Sequence, residues 1–385
     1  MFNFDFYNPT RIIFGKDRLE SIEELVPAEA TVLITFGGGS AKKSGLIDKI
    51  KTMLGNRKVY EFGGIEPNPR YETLVKAVEI VRSEKIDFIL AVGGGSVIDG
   101  TKFITLASYY EGDSRELLKC GFAPMPVKQA IPFGVVLTLP ATGSEMNNTA
   151  VISYEHAKYF FATELVFPKF SIVDPTITFT LPKTQVANGV VDAFVHVIEQ
   201  YLTYPVAAKV QDRMSEGILQ TLIEIGNTTV SETENYDARA NHVWSATLAL
   251  NGLIGAGVPQ DWSTHFIGHE LTSFFGIDHG QTLAIILPSL LAVRSKQKYS
   301  KLLQYAERVW HIENGSEEEK IDLAITKTRE FFESLGVKNR LSEYGVGVDK
   351  IPVIIEQLKA HGMTEISETR DLTLDISRKI LEGAM

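Results

Sequence analysis

The sequence predicts two domains of different class: an α/β N-terminal domain with a parallel sheet over residues 1–180, and an all-α C-terminal domain over residues 181–385. Three observations carry this. A chain of 385 residues is long for a single core. In its first half, β-rich apolar runs alternate with helical periodicity, and two of those runs end in a glycine triplet. After Leu181-Pro182 the strand signals vanish and helical periodicity dominates to the end.

Thr10-Arg11-Ile12-Ile13-Phe14-Gly15 reads as a short strand and turn opening the first domain, with a helix over Leu19 to Leu25. Val32-Leu33-Ile34-Thr35-Phe36 is a continuous apolar run of the kind found in strands buried on both faces. Gly37-Gly38-Gly39-Ser40 follows directly, then a helix from about Lys42. Val59 to Phe62 is a second strand, Gly63 to Pro69 a loop by its glycines and prolines, and Tyr71 to Ser83 an amphipathic helix. Phe88-Ile89-Leu90-Ala91-Val92 is the third strand and ends in Gly93-Gly94-Gly95-Ser96. Ile131 to Pro140 supplies a further strand leading into Ala141-Thr142-Gly143-Ser144-Glu145, and 150–179 read as short strands and turns around a surface histidine, His156. Strands and helices in alternation give a parallel sheet with helices on both faces. In the second half helices are expected near 183–203, 207–226, 236–254, 261–275, 280–294, 298–310, 318–335 and 349–360. The acidic stretch Glu313 to Glu319 reads as a solvated loop and helix start.

Composition narrows the function. A net charge of −10, from 38 basic and 48 acidic residues, lacks the excess expected of a nucleic-acid binder, and no Lys/Arg-rich run offsets it. Cys120 is the single cysteine, which excludes an intrachain disulfide and fits a reducing compartment. No signal-peptide pattern and no apolar run of membrane-spanning length is present, so a soluble cytoplasmic protein without membrane partners is expected.

A strand, a glycine-rich turn and a helix bring backbone N–H groups to a phosphate at a helix N-terminus, where the macrodipole also favours an anion. Gly93 to Ser96 fits this geometry without being the G-x-G-x-x-G fingerprint. Two such turns in one sheet, with Thr138 to Ser144 as a third polar turn, point to an extended ligand, and a dinucleotide is the natural candidate. A side chain at Gly95 is expected to block the pyrophosphate far more than it disturbs folding.

The helical half carries a different signature. His265 and His269 are four apart and project from one helix face, as do Asp192 and His196 in an almost wholly apolar run. A lone carboxylate there would be costly to bury, and a divalent cation would compensate it. Asp192, His196, His265 and His279 would supply one oxygen and three nitrogens, a set suited to Fe2+ or Zn2+ and wrong for calcium or magnesium.

Gly93 to Asp99, Thr138 to Glu145, Asp192-x-x-x-His196 and the histidines at 265, 269 and 279 together resemble the iron-containing (group III) alcohol dehydrogenases, over nearly the whole chain. Phe62 to Pro69 and Leu181 to His196 are similar to the branch of NADPH-dependent aldehyde reductases and butanol dehydrogenases. The resemblance implies a Rossmann-like, dehydroquinate synthase-like N-terminal domain, a helical second domain, and a cleft between them for metal and substrate. It implies that the metal is held by Asp192, His196, His265 and His279. Gly94, Gly95 and Ser96 would hold the pyrophosphate, Thr138, Leu139 and Thr142 border the nicotinamide, and Asn68 and Lys158 contact the ribose regions. Asp99, Ser144 and Asn147 complete the cofactor-binding set, and His269 is the uncoordinated histidine beside the nicotinamide, a candidate for proton relay or positioning. Gly37, Gly38, Gly39 and Ser40 would meet the adenosine ribose. NAD-linked relatives place an aspartate where Gly39 stands; its absence, with Ser40 as donor and Lys42 and Lys43 nearby, favours NADP(H) over NAD(H). The implied reaction is hydride transfer between the nicotinamide and an aldehyde or primary alcohol such as butanol, in a homodimer formed through the N-terminal region. The alternatives are an NAD-linked diol or lactaldehyde reductase of the same family, a nucleotide-binding regulatory protein, and a metal-dependent hydrolase. The zincin form of the last needs a glutamate where Phe266 stands.

Overall fold

The computed structural model describes residues 1–155 and 157–385; His156 lies outside them. Contacts divide the chain into two compact units, Tyr7–Leu181 and Pro182–Met385, the latter with Met1–Phe6. The α/β reading from residue 1 therefore meets one exception. The first six residues join the helical unit, where the Phe2 N–H donates to the Gly257 carbonyl at 2.9 Å.

In the α/β unit the apolar runs form the strands β1 (Arg11–Phe14), β2 (Thr31–Phe36), β3 (Lys58–Phe62), β4 (Phe88–Gly94), β5 (Phe133–Leu139) and β8 (Phe170–Val173) of a six-stranded sheet in the order β1-β8-β5-β4-β2-β3. Every pairing in it is parallel. The hairpin β6 (Thr149–Tyr154) and β7 (Ala157–Ala162) is a separate antiparallel pair. Helices α1 (Ile22–Leu25), α2 (Ser40–Lys43), α3 (Leu46–Leu54), α4 (Tyr71–Ser83), α5 (Gly95–Ala107) and α6 (Arg115–Leu118) complete it. Val32, Ile34, Leu90, Val92 and Ile172 pack with Ile22, Ile47 and Ile50 on one face. On the other, Thr35 Oγ1 meets Thr101 Oγ1 of α5 at 2.7 Å, as the two-residue period of a strand requires. The chain winds outward from β2 to β3, then returns across β2 to β4 and continues the other way. The strand order thus reverses between β2 and β4, and their carboxyl ends are where such sheets bind ligands. Those ends carry the two glycine triplets.

The helical unit consists of α7 (Lys183–Tyr201), α8 (Lys209–Ser231), α9 (Tyr236–Ala249), α10 (Ser263–Phe275), α11 (His279–Val293), α12 (Tyr299–Arg308), α13 (Glu317–Ser334), α14 (Ile351–Ala360) and α15 (Leu374–Gly383). A two-stranded hairpin, β9 (Glu365–Ile366) and β10 (Leu372–Thr373), and α15 are additions to the sequence reading; two-residue strands are too short to give a periodic signal. The acidic stretch ends in a capping box in which Ser316 and Glu319 satisfy each other's backbone N–H, so its charge starts α13. Gly189 to Tyr201 of α7 is buried without a break. A helix apolar all round sits at the centre of its bundle, and the four polar residues it carries there, Asp192, His196, Glu199 and Gln200, must find partners inside.

Candidate functional site

Three helices converge on Asp192. Its Oδ1 lies 3.5 Å from His196 Nε2, 3.6 Å from His265 Nε2 and 3.6 Å from His279 Nε2. Asp192 is 3 % exposed, and neither its Oδ1 nor His265 Nε2 makes a hydrogen bond or reaches solvent. Polar atoms held together at about this spacing around a buried carboxylate are an arrangement that a shared cation would satisfy. A tetrahedral shell with metal–ligand bonds of about 2.1 Å has ligand–ligand edges of about 3.4 Å, close to the three separations found. Ligand atoms of Asp192, His265 and His279 all lie within 4.8 Å of one another, and His196 joins them through Asp192 Oδ1; oxygen and imidazole donors of this kind suit a divalent transition metal.

Small residues make the convergence possible. A Cβ on Gly280 would stand 2.6 Å from the Asn188 carbonyl oxygen, so only glycine lets the start of α11, and with it His279, approach α7 this closely. Burial opposes the charge on Asp192, but His196, His265 and His279 outweigh it and hold the carboxyl well below the usual range. Burial likewise opposes a charged His265 ring, yet Glu199 and Asp192 on its two sides raise it to about 9. His269 lies half-buried beside the cluster, its ring centroid 5.4 Å from that of His279 and 6.1 Å from that of His265. Glu199, which the sequence reading passes over, contacts His265 Nδ1 directly. Its place two turns after Asp192 on the same helix is the signal that could have found it.

In the α/β unit the turns offer backbone. Gly94 precedes α5 with no side-chain cap, leaving the first N–H groups of that helix open to an anion. Ser96 Oγ accepts the Asn68 N–H at 3.2 Å, and the Ser153 N–H donates to the Pro69 carbonyl at 2.8 Å. Ser153 in turn pairs with Lys158 across the hairpin, so Asn68, Ser96 and Lys158 belong to one neighbourhood. A Cβ on Gly94 would come within 2.9 Å of Leu139 Cβ, and one on Gly95 within 2.4 Å of Thr142 Oγ1. A side chain at Gly95 would therefore meet Thr142, which adds a packing cost to the expected loss of ligand binding. Thr138 and Leu139 are half-buried at the carboxyl end of β5.

Asp99, Ser144 and Asn147 spend their side chains on each other and on Lys102. The Lys102 ammonium, with no exposed surface, donates to Ser144 Oγ, Asn147 Oδ1 and the Thr149 carbonyl, each at 2.8 Å. Ser144 donates to Asp99 Oδ1 at 2.5 Å, and the Val151 N–H to Asp99 Oδ2 at 2.9 Å. Burial lowers Lys102 to about 8 against the pull of Asp99 and Glu145. This knot fixes the turn that carries Thr142. At the first turn, Gly37 packs toward Ile65, while Gly38 and Gly39 have open space where a side chain would stand. Gly39 has φ +103° and Ser40 is exposed. Lys42 pairs with Glu61 at 2.7 Å, as does Lys51, so the positive charge expected of Lys42 is largely offset.

One chain thus carries a cluster of histidines around a buried carboxylate and a parallel sheet with glycine turns at the carboxyl ends of its strands. Residues 9–175 match the model of the iron-containing alcohol dehydrogenases, and residues 186–382 that of the C-terminal part of the Fe-containing alcohol dehydrogenase family. The chain belongs to the iron-containing alcohol dehydrogenase family. It is 56% identical over 388 residues to the NADPH-dependent aldehyde reductase YqhD of Escherichia coli, covering 100% of both chains. A crystal structure of the E. coli protein superposes with a TM-score of 0.97, covering 100% of this chain and 99% of that one. The structure of an NADH-dependent butanol dehydrogenase A from Thermotoga maritima, 32% identical, superposes with a TM-score of 0.93, covering 100% of this chain and 99% of that one. Among the described residues no helix is long and apolar enough to cross a membrane.

Proposed function

We propose that the protein reduces aldehydes to primary alcohols with NADPH, using one divalent metal ion, Fe2+ or Zn2+, held by Asp192, His196, His265 and His279. The observation that carries this reading is the convergence of three imidazole Nε2 atoms on one buried carboxylate oxygen, at 3.5, 3.6 and 3.6 Å. When bound, the ion supplies Lewis acidity to a carbonyl oxygen and the dinucleotide supplies the hydride. The chain's own residues do the rest. Asp192 offsets part of the charge of the cation. His269, half-buried with its ring centroid 5.4 Å from that of His279, would either relay a proton to the product oxygen or position the nicotinamide.

NADPH is favoured over NADH by the turn Gly37-Gly38-Gly39-Ser40, which has no carboxylate to repel a 2′-phosphate and has an exposed serine hydroxyl able to donate to one. The name of the E. coli relative supports the same choice. Gly94, Gly95, Ser96 and the open N-terminus of α5 would take the pyrophosphate, with Asn68 and Lys158 at the ribose side and Thr138, Leu139 and Thr142 at the nicotinamide. Asp99, Ser144 and Asn147 serve the cofactor by holding that wall in place. A homodimer through the N-terminal segment is supported by the exposure of Met1, Phe2, Phe4 and Phe6.

The test is a matrix of aldehydes against NADPH and NADH, with the purified protein loaded with Fe2+ or Zn2+. Loss of the NADPH absorbance with butyraldehyde, matched by butanol formed, is the expected result. No turnover of any aldehyde with either cofactor and either metal would sink the reading.

A further inference from the structure

Glu199 touches His265 in two ways. Its Oε1 accepts the backbone N–H of Thr264 at 2.7 Å and of His265 at 3.2 Å, and its Oε2 meets the His265 ring at Nδ1. Trp262, the residue before α10, provides no side-chain cap, so a carboxylate from α7 satisfies N–H groups that the helix leaves open. The contact is enclosed, with the side chains of Glu199 and His265 3 % and 9 % exposed. On α7, Asp192, His196 and Glu199 are spaced i, i+4 and i+7 and lie along one face. A single helix thus brings two of the proposed ligands and the group that grips a third.

We propose that Glu199 is a positioning residue: by accepting the Nδ1 proton of His265 it fixes the ring's tautomer and angle, so that Nε2 presents its lone pair toward Asp192. The inference rests on the metal reading above. The chemistry is specific to a carboxylate. With two backbone N–H groups directed at Oε1, a carboxylate still offers Oε2 as an acceptor for Nδ1–H. An amide in the same place must keep its oxygen on the backbone N–H groups, which turns its NH2 toward Nδ1. Nδ1 then has to accept, the ring proton moves to Nε2, and the lone pair facing Asp192 is lost. Glu199→Gln therefore separates the orienting role from the capping role. Glu199→Asp keeps a carboxylate at shorter reach.

The experiment measures Co2+ affinity of the full-length protein by optical titration, and the imidazole tautomer of His265 by nitrogen NMR of histidine-labelled metal-free protein. The tautomer is read from the neutral ring at alkaline pH. Carboxylates bound to metal-ligating histidines are typically worth about ten- to a hundredfold in metal affinity, and Glu199→Gln is expected to lose that much while melting within a few degrees of wild type. Glu199→Asp should bind Co2+ more tightly than Glu199→Gln and less tightly than wild type. The wild-type ring should carry its proton on Nδ1, and the Gln variant on Nε2. Unchanged Co2+ affinity in both variants, or the same tautomer in wild type and Glu199→Gln, overturns the proposal. If Glu199→Gln fails to fold, wild-type affinity in Glu199→Asp overturns it. Should the wild type itself bind no Co2+, the metal reading fails, and the tautomer spectrum still decides the role of Glu199.

Discussion

The helical unit and the α/β unit build their candidate sites from opposite materials. Around Asp192 the site is made of side chains: a carboxylate and three imidazoles, carried by three helices and converging on one carboxylate oxygen. At the carboxyl ends of β2 and β4 it is made of backbone, exposed by glycines, while the polar side chains nearby are tied to Lys102. An ion asks for a few strong donors at fixed points, whereas a pyrophosphate asks for N–H groups and room. The contrast predicts that damage to each site is separable from the other and takes a different form.

The largest effect is expected from Asp192→Ala. It removes the atom on which three histidines converge, and both bound metal and aldehyde turnover should vanish, the latter by about a thousandfold or more, while NADPH binding is kept. Metal analysis with a cofactor titration checks it, and stoichiometric metal in the variant would break the comparison at its firmer end. Next is Lys102→Met, which leaves Ser144, Asn147 and the Thr149 carbonyl without their shared buried donor. Losing such a centre costs about 3 kcal/mol or more. The α/β unit should melt earlier and the KM for NADPH rise, with metal content unmoved.

Gly95→Val sharpens the claim about backbone. Its side chain meets Thr142, so a loss of about 1–3 kcal/mol in stability should accompany weaker NADPH binding, again without loss of metal. Thermal melts and NADPH titration of Gly95→Val and of Gly95→Ala paired with Thr142→Ala, which removes both Oγ1 and Cγ2, separate the two: relief of the clash should return stability before affinity. The smallest effect concerns selectivity. Gly39→Asp would set a carboxylate against the 2′-phosphate, and a repulsion on the order of 1–3 kcal/mol lowers the NADPH preference by roughly ten- to a hundredfold. Gly39 has φ +103°, so any side chain there is strained; Gly39→Asn carries the same strain without the charge, and the ratio of kcat/KM for the two cofactors should move only in the aspartate variant.

The same contrast explains what could be read from the chain. The sheet, its glycine turns and most helices were legible because apolar periodicity and glycine are local signals, and the clustering of Asp192 with His196, His265 and His279 because aspartate and histidine four apart on a greasy helix have few other uses. The β9–β10 hairpin was not, since two-residue strands have no period. Glu199 escaped because a glutamate at the end of a helix usually faces water; only the fold reveals that this one is buried against α10. Asp99, Ser144 and Asn147 sit in sequence beside the glycine turns, but no pattern announces that Ser144 and Asn147 accept from the Lys102 ammonium, or that Ser144 donates to Asp99.

The central claim, that the four residues of the helical unit surround one divalent ion, is tested most directly by anomalous diffraction at the metal edge on crystals of the metal-loaded protein. A single strong peak is expected at about 2.0–2.2 Å from Asp192 Oδ1 and from Nε2 of His196, His265 and His279, with His269 outside bonding range. A protein that takes up metal but shows its peak elsewhere, or a peak bonded to His269 in place of one of the four, would contradict it.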